Sequence, residues 1–92
     1  MIRTFKHRGL KRLFERGDSS GIRGDLLEDV EDILARLDQA TTPQAMNLPG
    51  YPLHPLKGDL RGFWSVTVRA NWRIVFRFDG EDAYDVELVD YH

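Results

Sequence analysis

The sequence predicts an α+β domain in which two helices cover one face of an antiparallel sheet. Two observations support this fold class. Apolar residues recur at helical spacing in the first half of the chain, and they alternate with polar residues in three runs of the second half. Because 92 residues allow a single core, we assign residues 1–92 to one domain.

The first half of the chain is predicted to form a short strand and two helices. Ile2–Phe5 is a β-type run, and Lys6–Arg16 carries apolar residues at i, i+3 and i+4 before Gly17 ends the helix. The stronger helix is Asp25–Leu37, with one apolar stripe at the helical period. Its acidic residues lie off the stripe in the early turns, where the helix dipole favours carboxylates, so we interpret them as a solvent face.

The second half begins with residues 41–60, a linker whose prolines and glycines predict irregular structure. Alternating residues then predict three strands joined by two tight turns. The strands are expected at Phe63–Arg69, Trp72–Phe78 and Tyr84–Tyr91, with turns at Ala70-Asn71 and Asp79-Gly80. The predicted order is therefore an N-terminal strand, two helices and a three-stranded meander.

The net charge of −2 conceals four blocks of opposite sign. Residues 1–24 carry a balance of +5, residues 25–40 of −5, residues 41–78 of +4 and residues 79–92 of −6. Such blocks either neutralise one another in the folded chain or present a basic face that attracts a polyanion within a Debye length.

Composition also limits the chemistry and the location that we expect. The chain has no cysteine, which excludes disulfides, zinc–thiolate sites and thiol nucleophiles and is typical of a reducing cytoplasm. No apolar run approaches the length of a membrane span and no signal-peptide core is visible, so we expect a cytoplasmic protein without a membrane. The three histidines lack metal-ligand spacing, so neither a metal nor another cofactor is expected.

The middle predicted strand places Arg73 and Arg77 on the side opposite its apolar residues. If the helices cover the apolar side, the two arginines line the other side, which we call the arginine face. The planar guanidinium suits phosphate oxygens, so this face is predicted to bind an RNA backbone. The alternative is an ordinary solvated face, with the arginines paired to Asp85 and Glu87 on the neighbouring strand. Further candidate RNA-binding residues are Arg61, Arg69 and Trp72.

The last three residues are Asp90, Tyr91 and His92, an acid, a phenol and an imidazole at the end of the third predicted strand. Terminal residues normally tolerate any sequence, so three proton-transfer groups at this place indicate chemistry. The alternative is that these residues only pack against the edge of the core or fray from it. The arginine face favours the first interpretation because it supplies a phosphate site for the chemistry to act on.

Three segments together resemble the HigB-type killer-protein toxins of the RelE/ParE superfamily. They are the opening MIRTFKHRGLKRLFERG, the string LHPLKGDLRGFWSVTVRANWRIVFRF and the ending DAYDVELVDYH. The resemblance implies a compact RelE-like domain that enters the ribosomal decoding site and cuts messenger RNA without a metal. It also implies a helix-turn-helix antitoxin as partner, similar to HigA, with operator DNA contacted only through the complex of toxin and antitoxin.

The resemblance further implies which residues form the active centre. They are His54 and Lys57 in HPLKG, Arg73 in NWRI, and Asp90, Tyr91 and His92 at the end of the chain. The implied reaction is attack by a ribose 2′-hydroxyl on the adjacent phosphate, with one histidine as base and the other as acid. The superfamily also contains ParE-like toxins that act on DNA gyrase, and a toxin can serve as operator co-repressor with its antitoxin. Both remain alternative functions.

Overall fold

The computed structural model describes residues 1–91 and contains two α-helices and one four-stranded sheet. Helices α1 and α2 span Arg8–Arg16 and Leu27–Gln39, and strands β1 to β4 span Leu53–Pro55, Phe63–Arg69, Trp72–Asp79 and Asp82–Asp90. Short 3₁₀ helices lie at Pro43–Met46 and Gly58–Leu60. The strands pair antiparallel in the order β1-β2-β3-β4, which confirms the predicted α+β class with helices on one sheet face.

The helices cover the sheet with the apolar stripe that the sequence predicts. On α2 the buried residues are Val30, Ile33, Leu34 and Leu37, and they pack against the fully buried Val66, Ile74, Phe76 and Val86 of the sheet. Helix α1 ends at Gly17, whose left-handed φ of 70° suits glycine and lets its N–H donate to the carbonyl of Leu13. None of the helices formed by residues 1–91 is long and apolar enough to cross a membrane.

The predicted N-terminal strand is reduced to two isolated parallel bridges beside β4. Ile2 pairs with Ala83 and Phe5 pairs with Val86. Between these points the backbone of Asp85 adopts a φ of 56°, and β4 shifts register against β3. This bulge takes the chain out of the extended conformation, so the ladder beside it is interrupted.

The prediction that residues 41–60 are irregular throughout is wrong, because β1 lies within this linker. The carbonyl of Pro52 accepts from the N–H of Thr67, and the N–H of Leu56 donates to the carbonyl of Phe63. A proline lacks a backbone N–H, and an edge strand tolerates this loss because one of its sides has no partner strand. A three-residue strand that follows one proline and ends at another is too short to show alternation in the sequence, so periodicity could not reveal it.

Helix α1 begins at Arg8 with His7 as its N-cap, rather than at Lys6. The Nδ1 atom of His7 accepts from the N–H of Leu10 at 3.1 Å, and the ring is half-buried. Burial lowers the pKa of His7 from its ordinary value of 6.5, nearby Glu87 raises it and Arg12 lowers it further. The folded chain therefore favours the neutral ring, which is also the form that can accept a hydrogen bond at Nδ1.

The His7 cap predicts that the chain loses stability in mild acid. Because the pKa is lowered in the folded state, the unfolded chain binds the proton more tightly, and the contribution of His7 is complete above about pH 6.5 and declines below it. Urea denaturation at pH 7.5 and pH 5.5 should show this loss, and His7→Asn should reduce it because asparagine caps helices without titrating in this range. An equal loss in both proteins would contradict the prediction, since all other titrating groups are shared.

Candidate active site

The strand residues at the centre of the arginine face are buried and not open to solvent. Ser65 of β2 is 0% exposed and its cross-strand neighbour Val75 of β3 is 5% exposed. On either side of this pair the same row continues to His54 of β1 and Glu87 of β4. The surrounding side chains therefore exclude water from Ser65 and Val75, and the lower local dielectric strengthens electrostatic interactions at this face.

Arg73 and Tyr91 meet at the end of β4. The guanidinium carbon of Arg73 lies 5.0 Å from the centroid of the Tyr91 ring, which is 38% exposed. The N–H of Tyr91 donates to the carbonyl of Asn71 at 2.8 Å and so holds the strand end beside the start of β3. Within residues 1–91 no carboxylate forms an ion pair with Arg73, and its Nε is buried without a hydrogen-bond partner.

The histidine and lysine of HPLKG lie across the sheet from Arg73. His54 is exposed on β1, two strands away from β3, which corresponds to about 10 Å between backbones. Lys57 and Arg61 flank the 3₁₀ turn that re-enters the sheet at Phe63, and both are exposed. The register places His54 on the same face of the sheet as Arg73, whereas Lys57 and Arg61 lie in the connection between β1 and β2.

Arg77 is held differently from Arg73, in the way that the alternative of a solvated, paired face predicts. Its Nε donates to Asp85 at 2.8 Å, and its guanidinium carbon lies 5.0 Å from the ring centroid of Tyr84. Hydrogen bonding from Arg77 holds the pKa of Asp85 below its usual value. Tyr84 reaches this face because the bulge at Asp85 shifts the register, whereas simple alternation assigns it to the side of Val86.

Arg69 and Trp72 lie toward the helices, away from Arg73. The Nε of Arg69 is 3.9 Å from Asp29 of α2, and Asp29 also accepts from the hydroxyl of Tyr51 at 2.9 Å. This hydrogen bond raises the pKa of Tyr51 to about 12. Trp72 packs against the core and has the guanidinium of Arg23 5.5 Å from its ring. The structure therefore does not bring these two candidates together with the rest.

The predicted terminal triad is described only in part. Asp90 pairs in register with Trp72, one residue out of phase with Tyr91, so the two side chains leave β4 in different directions. His92 lies outside the described residues. Sequence reasoning gave Ser65 no special place, because one serine among apolar strand residues is unremarkable until its burial is known. No group of three or more histidine, cysteine or acidic side chains with metal-ligand geometry occurs in the described part of the chain.

Comparison with known proteins decides the family. A family model for the RelE-like toxin HigB of type II toxin–antitoxin systems matches residues 3–92. The chain belongs to this HigB-like toxin family. It is 51% identical to the endoribonuclease HigB of Proteus vulgaris over 92 residues, which is the full length of both proteins. These matches confirm the resemblance drawn from the three sequence segments.

A solved structure supports the fold independently of close sequence similarity. The HigB-like chain resembles a chain in the crystal structure of the heterotetrameric YoeB–YefM toxin–antitoxin complex from Staphylococcus aureus. The TM-score is 0.62 at 14% identity, and the match covers 100% of this chain and 98% of the other. At this identity the likeness establishes the fold alone.

Proposed function

We propose that this chain inhibits translation as a ribosome-dependent endonuclease that cuts messenger RNA. Three observations support the proposal: membership of the HigB-like toxin family, high identity to a relative named as an endoribonuclease, and the chemistry of the arginine face. The cut follows from attack by a ribose 2′-hydroxyl on the adjacent phosphate. A bond forms between the 2′-oxygen and phosphorus, and the bond to the 5′-oxygen breaks.

The observation that carries the proposal is the placement of Arg73 on the ring of Tyr91. The ring covers one side of the guanidinium, and no carboxylate within residues 1–91 forms an ion pair with it. Its charge is thus not neutralised by residues 1–91 and can act on a phosphate. We assign Arg73 to stabilise the negative charge that builds on the phosphate oxygens as the 2′-oxygen attacks.

The remaining roles follow from the residue types. Histidine exchanges protons near neutral pH, so we assign His92 to take the proton of the 2′-hydroxyl and His54 to protonate the leaving 5′-oxygen. Lys57 adds positive charge at the phosphate, which together with Arg73 allows cleavage without a metal. Asp90 orients a neighbouring group, and the exposed ring of Tyr91 stacks on or positions a base.

RNA contacts beyond the reacting phosphate are proposed for four residues. Arg61 is exposed beside the HPLKG string, and Arg77 lies on the arginine face but shares its charge with Asp85. For Arg69 and Trp72 the RNA must reach the helical side of the sheet, so we expect smaller effects from their replacement.

The proposed partners follow from the family. A type II toxin acts together with an antitoxin, which we propose is a helix-turn-helix protein similar to HigA. We further propose that the toxin acts in the cytoplasm, on messenger RNA held by the ribosome. It would reach operator DNA only through the complex with its antitoxin.

Primer extension on a message bound to purified ribosomes tests the proposal. We expect cuts within codons that require the ribosome and leave a 5′-hydroxyl, and we expect His92→Ala to abolish both the cuts and growth inhibition while antitoxin binding is retained. Uncut messages with the unmodified protein would refute the endonuclease, and accompanying DNA damage would favour a gyrase-directed toxin. Full cutting by His92→Ala would refute the role of His92.

A further inference from the structure

Ser65 is the one polar residue within residues 1–91 that is fully buried, and its Oγ has no hydrogen-bond partner there. An unpaired buried hydroxyl costs stability, and native proteins rarely retain one. Alanine would occupy the same small space on the strand without this cost. We therefore expect this hydroxyl to form a hydrogen bond that is absent from the folded chain alone.

The sheet places Ser65 in the same cross-strand row as His54. In an antiparallel ladder every second pair of opposite residues is joined by main-chain hydrogen bonds. The bonds on either side of this row show that His54 and Ser65 are such a hydrogen-bonded pair. Paired residues have their Cβ atoms about 4.5–5.5 Å apart and their side chains on the same face of the sheet. On the other side of Ser65 the row continues to Val75, which offers no polar atom. His54 is thus the directly opposite polar neighbour of the hydroxyl.

A serine hydroxyl is well suited to hold an imidazole. It can accept the N–H of one ring nitrogen, and this bond fixes the direction in which the second ring nitrogen points. His54 is exposed, so packing restrains its ring less than it would restrain a buried one. A proton donor in catalysis must be aligned with the oxygen that receives the proton.

We propose that Ser65 is a positioning residue for His54. Its Oγ accepts the N–H of one nitrogen of the His54 ring when RNA lies on the arginine face, and the other N–H is then directed at the leaving 5′-oxygen. The inference rests on the proposed function, because it assigns Ser65 a part in the proposed cleavage.

The test compares Ser65→Ala with Ser19→Ala, which makes the same change at an exposed loop serine. Cleavage is measured under single-turnover conditions on ribosomes bound to a defined message, and thermal unfolding is measured on the same proteins. General acid–base catalysis typically contributes on the order of 10²–10⁴-fold, so misdirecting the acid should lower the saturating rate of Ser65→Ala by about tenfold or more. We expect an unchanged half-saturating toxin concentration and an unchanged or higher Tm, with Ser19→Ala like the unmodified protein throughout.

Each possible result either supports or overturns the positioning role of Ser65. A saturating rate for Ser65→Ala equal to that of the unmodified protein overturns the inference and leaves the proposed function intact. A lower rate accompanied by a lower Tm also overturns it, because the hydroxyl then serves the fold. The rate loss should disappear in a His54→Ala background, and a persisting loss would overturn the link to His54. If the unmodified protein cuts no message, the proposed function fails and the inference fails with it.

Discussion

Replacing Arg73 with alanine is expected to lower the rate of messenger RNA cleavage by about 10²–10³-fold, which is the usual cost of removing a group aimed at transition-state charge. The guanidinium lies on the Tyr91 ring without a carboxylate partner in residues 1–91, whereas Arg77 on the same face is paired with Asp85. Its contribution to folding is small by comparison. A cation–π contact of this kind is worth about 0.5–1 kcal/mol, so the variant should remain folded.

The measurement is the single-turnover rate on ribosomes bound to a defined message, with urea denaturation of the same protein. Arg36→Ala is the matched control because Arg36 is an exposed arginine of α2, paired with Asp32 one helical turn away. It should cut at the unmodified rate. Arg73→Lys should recover part of the activity, since lysine retains the charge but lacks the planar fork. An Arg73→Ala protein that cuts at the unmodified rate would contradict the role of Arg73 in stabilising charge on the phosphate.

The contrast between Arg73 and Arg77 shows where sequence reasoning was sufficient and where it was not. Alternation placed both arginines on one face of the middle strand, and β3 has them there. It offered the pair of Arg77 with Asp85 as an alternative. It could not reveal that Asp85 would adopt a left-handed conformation and bring Tyr84 to the same face. A bulge depends on tertiary contacts, here the hydroxyl of Thr4 accepting from the N–H of Asp85 at 2.8 Å.

The same limit explains the other differences at the site. The stripe of α2 and the three long strands were predictable because each repeats its period over many residues. Strand β1 is only three residues long, and its place beside β2 is set by pairing across an irregular connection and not by its own periodicity. Because β1 carries His54, the sequence identified the histidine by its motif but not the neighbour, Ser65, that lies opposite it.

The largest effect on stability is expected at Phe76, on the strand that also carries Arg73. Phe76 is 0% exposed, packs among the buried residues of the helix-covered side and meets Phe78 edge-on at 5.9 Å between ring centroids. Phe76→Ala should lower the free energy of unfolding by about 3–5 kcal/mol, because it removes a buried ring and leaves a cavity. Small domains have about 5–15 kcal/mol in total, so this variant should be partly or wholly unfolded at growth temperature.

Phe14→Ala makes the same chemical change at a ring that is 37% exposed on α1, and it should cost about half as much or less. Urea denaturation of the two variants gives the comparison, and equal losses would contradict the assignment of the core to the helix-covered side.

The Phe76 variant also completes the test of Arg73. Both changes should relieve growth inhibition, but Phe76→Ala does so by removing the folded protein, whereas Arg73→Ala leaves a folded chain that still binds its antitoxin. An Arg73→Ala protein with the unfolding behaviour of Phe76→Ala would show that its inactivity reports on stability and not on chemistry.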